Sequence, residues 1–208
     1  MSTIDKLLDY NRHWAEGLKS EDSDFFAELA GKHEPELLWI GCSDGRVSPD
    51  RLIGRPLGKI FVHRNIANIF AMHDLNCLAV LQFAVEVLKI PDIVVCGHYG
   101  CAGIKQAIEG HSVEPVDLWV EPIRLLARRQ RDELDGITDP DEKAKRLSEL
   151  NVAHQVRNIC RSAIVQQAWN NGQELAVHGL IYHVEDGLLH KVMPSVTSAE
   201  VFRGIVSQ

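Results

Sequence analysis

Short, unbroken apolar runs that each end at a turn constrain this chain most. Ile93-Val94-Val95-Cys96-Gly97 is continuous and β-branched, with no polar residue set aside to face solvent. A run of that kind fits a strand covered on both faces, the condition of a parallel sheet rather than of a half-solvated antiparallel one. Leu37-Leu38-Trp39-Ile40-Gly41 reads the same way, and Lys59 to His63 and Glu174 to His178 supply two more strands. Between them lie stretches at helix spacing: 76–88, apolar almost all round and fit for a core or a partner subunit, then 102–109, 116–134 and 141–170. In the last, Val152, Val156, Ile159, Cys160, Ala163 and Ala168 share a face, and Asn171-Gly172 stops the helix. Gly179 to Val184 and Leu188 to Val192, around Asp186-Gly187, form a terminal hairpin. Strands alternating with helices predict an α/β fold. Its mostly parallel central sheet has about four parallel strands plus a terminal hairpin strand, flanked by helices.

The first 18 or so residues form an amphipathic helix with Ile4, Leu7, Leu8 and Trp14 near one face. A second helix follows from Asp22 to Ala30, with Ser20 or Asp22 as its N-cap and Gly31 as its stop. With 208 residues, no repeat and no linker, the chain reads as one domain, 1–208. A chain of this size buries about 70% of its unfolded surface, so no disulfide or metal is required merely to hold a core.

Several classes are excluded as expectations. There are 22 Lys+Arg against 29 Asp+Glu, a net charge of −7, which argues against a nucleic-acid binder. No window nears the roughly 18 consecutive apolar residues of a membrane span. The N-terminus alternates charge with apolar residues and lacks a signal-peptide core, and five cysteines is an odd count. Reduced thiols and a cytoplasmic location follow as the expectation. Cys77, Cys96 and Cys160 sit in apolar stretches and read as small buried hydrophobes. Cys42 and Cys101 sit in polar, glycine-rich turns.

Those turns are Cys42-Ser43-Asp44-Gly45-Arg46 and Gly97-His98-Tyr99-Gly100-Cys101-Ala102-Gly103, each directly after a strand. Open parallel sheets bind ligands beyond the carboxyl ends of their strands. If these two strands are neighbours, Cys42, Asp44, His98 and Cys101 converge. Thiolates with an imidazole suit Zn²⁺ better than Mg²⁺ or Ca²⁺. The spacing leaves two kinds of site open: a closed structural one with four ligands, and a catalytic one in which Arg46 holds Asp44 off the metal through a bidentate pair. Gly97, Gly100 and Gly103 give G-x-x-G-x-x-G, not the dinucleotide fingerprint, and no Walker A pattern is present.

With its C-x-D-x-R after one strand and H-x-x-C after a later one, the chain resembles the β-class carbonic anhydrases. The likeness runs on through Phe61-Val62-His63-Arg64-Asn65, Asp74-Leu75-Asn76-Cys77 and Asp186-Gly187, covers nearly the whole chain, and leans toward bacterial, proteobacterial-type members. The resemblance implies one zinc per chain on Cys42, His98 and Cys101, and Asp44 paired with Arg46. It implies a homodimer or a dimer of dimers, with a helical arm over residues 1–34 packing on the partner subunit. Trp39, Arg64 and Tyr182 match the trio that binds non-catalytic bicarbonate in the allosteric subset, and an indole N–H, a guanidinium and a phenol do suit a small planar anion. Three positions depart from the family pattern: Gly45 replaces Ser, Ala102 replaces Gly, and Phe83 replaces Tyr.

The expected activity is therefore zinc-dependent, reversible hydration of CO₂ to bicarbonate and a proton, against an apolar wall that includes Phe83 and Ile66. It is gated by Asp44 and Arg46 and inhibited by bicarbonate at the trio. Hydrolysis of COS or CS₂ on the same scaffold is the enzymatic alternative, and a non-catalytic zinc protein that senses bicarbonate is the alternative from another class. His13, His33, His63, His73, His111, His154, His178, His183 and His190 read as surface or core histidines. Arg124, Arg128, Arg129 and Arg131 read as a salt-bridged face toward Asp132, Glu133 and Asp135.

Overall fold

The structure, a computed structural model, describes residues 2–110 and 113–206, so His111 lies outside the described residues. It divides into two compact units, Met1–Glu34 and Pro35–Gln208. The smaller unit is two helices. The first, Thr3–Glu21, opens with a reciprocal cap: Asp5 N–H donates to Ser2 Oγ (3.1 Å), and Ser2 N–H donates to the Asp5 carboxylate (2.7 Å). The second, Phe25–Gly31, starts later than the sequence suggests. Asp22 accepts the Asp24 N–H at 3.0 Å and so builds the turn before the helix instead of capping it, and Gly31 lies within the last turn. Trp14 meets Phe26 edge-on at 5.9 Å, but neither helix buries a residue.

In the larger unit, β1 (Leu37–Cys42), β2 (Ile60–Asn65), β3 (Asp92–His98), β4 (Ala176–His183) and β5 (Leu188–Lys191) form one sheet in the order β2-β1-β3-β4-β5. The first four run parallel and β5 returns antiparallel. The expected architecture holds, with one correction. The stretches 174–178 and 179–184 are one strand, because Gly179 is not a turn. Its missing side chain lets a helix close in: a Cβ there would stand 3.1 Å from Val152 and 3.2 Å from Val156.

That helix, Pro140–Arg161, is capped by Asp139, which accepts the Asp141 and Glu142 N–H groups, and has Pro140 in its first turn. It packs with Leu75–Gln82 and Ala163–Asn170 over Leu38, Ile40, Ile93, Val95, Val177 and Ile181 on one sheet face. The other face carries Trp39, Val94, Cys96 and Tyr182 under Val47. The stretch 141–170 is two helices because Ser162 breaks it: its hydroxyl donates to the Ile159 carbonyl and accepts the Val165 N–H, ending one helix and starting the next. The stretch 116–134 likewise divides, at Gln130. The expected helix 76–88 runs as part of Leu75–Gln82 and then widens into a five-residue π-turn, Phe83–Val87, where Phe83 and Val87 are exposed in this chain. The basic run is salt-bridged as expected, with some different partners. Arg124 pairs with Asp117 and Glu121, while Glu133 and Asp135 pair with Arg146 and Lys143.

Candidate metal centre

β1 and β3 are neighbours in register, Gly41 beside Cys96, so the turns after them open at the same edge of the sheet. Cys42 ends β1, His98 ends β3, and Cys101 immediately precedes the helix Ala102–Glu109. Their ligand atoms all lie within 4.8 Å of one another, and the two sulfurs are 3.9 Å apart. All three side chains are buried.

Each ligand is prepared by its surroundings. His98 Nδ1 lies 3.0 Å from the Tyr99 carbonyl, which has only a lone pair to offer, so Nδ1 carries the proton and Nε2 keeps its lone pair. Nε2 is buried and has no hydrogen-bond partner among the described residues. A buried nitrogen left without a partner is costly, and a metal is what this cluster of two sulfurs and one imidazole fits. Hydrogen bonding from Cys101 pulls the Cys42 thiol down to about 4 despite burial. Cys101 is pushed up by that same bond and by burial, while the Ile104 and Gly103 N–H groups of the following helix pull the other way.

Asp44 stands beside this cluster, its Oδ2 3.8 Å from His98 Nε2, and is held by Arg46. Arg46 Nε reaches Oδ1 at 3.0 Å and Nη2 reaches Oδ2 at 2.7 Å, a bidentate pair, and the Arg46 N–H adds a third bond at 2.9 Å. Those bonds keep the Asp44 carboxyl well below the usual range. Of the two arrangements left open by the spacing, the carboxylate here is committed to arginine.

Trp39 and Tyr182 meet in one cluster with Val47 on the other sheet face, and the Trp39 indole N–H is buried without a partner. The Trp39 ring lies over Gly41, where a Cβ would come within 2.4 Å of it. Arg64 Nε donates to the Cys42 carbonyl (2.7 Å) and Nη2 to the Asp44 carbonyl (2.5 Å). It therefore grips the backbone of the C-x-D-x-R turn.

The departures from the family pattern are sterically harmless. A Cβ at Gly45 would meet open space, and Ala102 is an exposed first residue of its helix. Ile66 reaches the Cys101 side of the site, its Cγ2 2.9 Å from where a Gly103 Cβ would stand. Phe83 instead stacks on Phe61 at 5.9 Å.

A carbonic anhydrase family model matches residues 37–189. A carbonic anhydrase of Emericella nidulans is 41% identical over 90% of this chain and 82% of its own. Among solved structures, a Coccomyxa β-carbonic anhydrase in complex with acetazolamide superposes with a TM-score of 0.91 and 39% identity, covering 96% of this chain and 90% of that one. One of two tetrameric β-carbonic anhydrases of Sordaria macrospora gives 0.89 and 34%, covering 94% and 99%. None of the three is bacterial, so the leaning toward bacterial members gains no support from them.

Proposed function

We propose a working cycle from one premise: this chain belongs to the carbonic anhydrase family, in its β class, and is an enzyme of that kind. The reaction is reversible hydration of CO₂ to bicarbonate and a proton. The observation that carries the reading is the orphaned His98 Nε2 facing two cysteine sulfurs, with an arginine-clamped carboxylate 3.8 Å away. Cys42, His98 and Cys101 would hold one zinc per chain, which when bound supplies a Lewis acid that makes water nucleophilic near neutral pH.

The remaining work belongs to the chain. Asp44 is an acceptor only, so it orients the reacting water by taking one of its hydrogen bonds. Arg46 keeps Asp44 ionised and directed. Ile66 gives CO₂ an apolar surface. Released from Arg46, Asp44 would be free to serve as a fourth ligand, so the pair can act as a gate. Trp39, Arg64 and Tyr182 are the proposed bicarbonate site. The reading is supported by the unpartnered Trp39 N–H and by the grip of Arg64 on the Asp44 carbonyl, which links an anion at Arg64 to the gate through one side chain.

We also place the chain in a homodimer or dimer of dimers, with residues 1–34 as an arm on the partner. Ile4, Leu7, Leu8 and Tyr10 are each more than half exposed on that arm. Separately, Ile66, Pro115, Val116, Leu118 and Trp119 line an apolar groove of about 430 Å³. Two thiol ligands suit a reducing compartment, the cytoplasm. Stopped-flow CO₂ hydration across pH, with zinc content measured on the same sample and sulfide release from COS or CS₂ in parallel, tests the activity. One zinc per chain with CO₂ hydration is expected; a fully zinc-loaded chain without hydration at any pH overturns the reading.

A further inference from the structure

The chain from Ile66 to Phe70 turns through a conformation that Ala67 does not favour and Asn68 tolerates. Ala67 (φ 61°) and Asn68 (φ 48°) are both left-handed, and neither is glycine. Both are buried, at 0% and 2% exposure. A left-handed pair of this kind persists only where its surroundings over-determine it.

Here the surroundings are a row of buried amides. Asn151 Nδ2 donates to the Ala67 carbonyl at 3.0 Å. Gln155, one turn further along the same helix, accepts the Phe70 N–H at 3.1 Å and donates to Asn151 Oδ1 at 2.7 Å. Asn158 donates to Gln155 Oε1 at 3.2 Å. From the strand side, Asn65 brackets Ile69, accepting its N–H at 2.8 Å and donating to its carbonyl at 2.7 Å. Asn151 and Gln155 are each 1% exposed. Core helix faces are normally apolar, so two buried amides on one face have a task there.

The place where the turn sits identifies the task. Ala67 packs among Cys42, Cys101 and Ile104. A Cβ on Gly103, two residues after Cys101, would come 3.0 Å from the Ala67 Cβ, and one on Gly97, directly before His98, would come 3.5 Å from Asn68 Oδ1. The turn is thus wedged among all three segments that carry the proposed ligands. We propose that Asn151 and Gln155 are positioning residues: by locking the Ala67–Asn68 turn from the long helix, they set the spacing of Cys42, His98 and Cys101 before metal arrives. The inference rests on the zinc reading above.

Zinc dissociation under chelator challenge tests it, measured on the zinc-loaded enzyme. Asn151→Asp keeps the size of the side chain and replaces the donor facing the Ala67 carbonyl with an acceptor. Gln155→Met keeps the length and removes all three hydrogen bonds of the amide, to Phe70, Asn151 and Asn158. Each is expected to release zinc 10- to 100-fold faster, roughly the effect of losing a group that orients a ligand. Ser148→Ala is the control: Ser148 is buried on the same helix, and its hydroxyl bonds only within it, to Ala144. Release from both amide variants no faster than from Ser148→Ala overturns the proposal. A wild type that takes up no zinc fails the site reading instead. Hydrogen exchange of wild type needs no variant to fold. Slow exchange across 66–70 with and without zinc is expected, and fast exchange in the zinc-free chain shows that metal, not the amides, orders the turn.

Discussion

The five cysteines occupy two regions, and burial does not tell them apart. Cys42 and Cys101 at the strand ends are 5% and 3% exposed, and Cys77 in the interior is 1% exposed. Their surroundings differ. Burial pushes the Cys77 and Cys160 thiols up to about 12, and Cys96 higher still. At the strand ends the two thiols part: hydrogen bonding from Cys101 pulls Cys42 down, while the same bond and burial push Cys101 up. The difference lies in what faces the sulfur: at Cys42 a second thiol, an imidazole and backbone N–H groups, and at Cys77 the His63 imidazole and the Asp74 carboxylate, which raises the thiol further. A cysteine is made a ligand by its neighbours, and the two turns supply them.

The comparison breaks most visibly at the metal. Cys42→Ala, His98→Ala and Cys101→Ala should each lose most of the zinc and with it on the order of 10³-fold or more of the hydration rate, because each removes one of three ligands. Cys77→Ala and Cys160→Ala should keep full zinc and activity, and lose about 1–2 kcal/mol of stability from the small cavities left behind. Zinc retained in all three strand-end variants, measured by metal analysis after dialysis, would sink the division.

Arg46 sharpens the same contrast without touching a ligand. Arg46→Ala and Asp44→Asn should retain zinc while hydration falls by about 10²-fold, the scale of losing an orienting contact. The pH sense follows from the depressed Asp44 carboxyl. A carboxylate lowered in the fold stabilises it above its unfolded value, near 3.9, and that contribution is lost as pH falls below this. Asp44 is therefore ionised throughout the neutral range, so a loss of activity near neutrality does not come from its protonation. On that basis Tyr182→Phe and Trp39→Ala should each weaken bicarbonate inhibition about tenfold and extend activity to lower pH with zinc content unchanged. An unaltered bicarbonate response in both would make that cluster structural only. The shift an anion can impose is bounded by its preference for one gate state.

The strand-end region was more legible in sequence than the interior that supports it. Polar residues placed straight after an apolar strand are conspicuous, and Cys42, Asp44, Arg46, His98 and Cys101 stood out for that reason. The helix Ala102–Glu109 was bounded correctly because Cys101 and Gly110 mark its ends. Gly179 misled because a glycine needed for close helix packing looks, in one dimension, like a glycine needed for a turn. Asn151 and Gln155 gave no signal: on a helix, an amide bonded to a distant backbone carbonyl reads like one facing water. Arg64 also holds two backbone carbonyls of the turn after β1, a use no spacing encodes. The non-glycine left-handed pair at Ala67 and Asn68 was equally silent, since it exists only because of those tertiary bonds.

The smallest effect concerns whether burial alone governs the interior, as it does for its thiols. The same desolvation that raises Cys77 and Cys160 should favour neutral imidazole. His154 is lowered by burial first, and then by Arg129, Arg161 and Arg157. His63 is also lowered by burial, with Asp74 opposing. A histidine depressed in the fold stays neutral where the unfolded chain, titrating near 6.5, takes up a proton. The unfolded state then binds more protons, so stability rises with pH and is lost as pH falls below about 6.5. His154→Gln removes that liability. Its melting temperature should fall less than that of wild type between about pH 6.5 and 5.5, by roughly 1–3 °C. His63→Gln should gain less, because removing His63 also removes its attraction to Asp74. Acid loss of the metal ligands is common to wild type and variants and cancels in the difference. If His154→Gln and wild type lose the same number of degrees over that window, solvent access outweighs both burial and the neighbouring arginines at His154, and the division between the two regions is less sharp than their thiols imply.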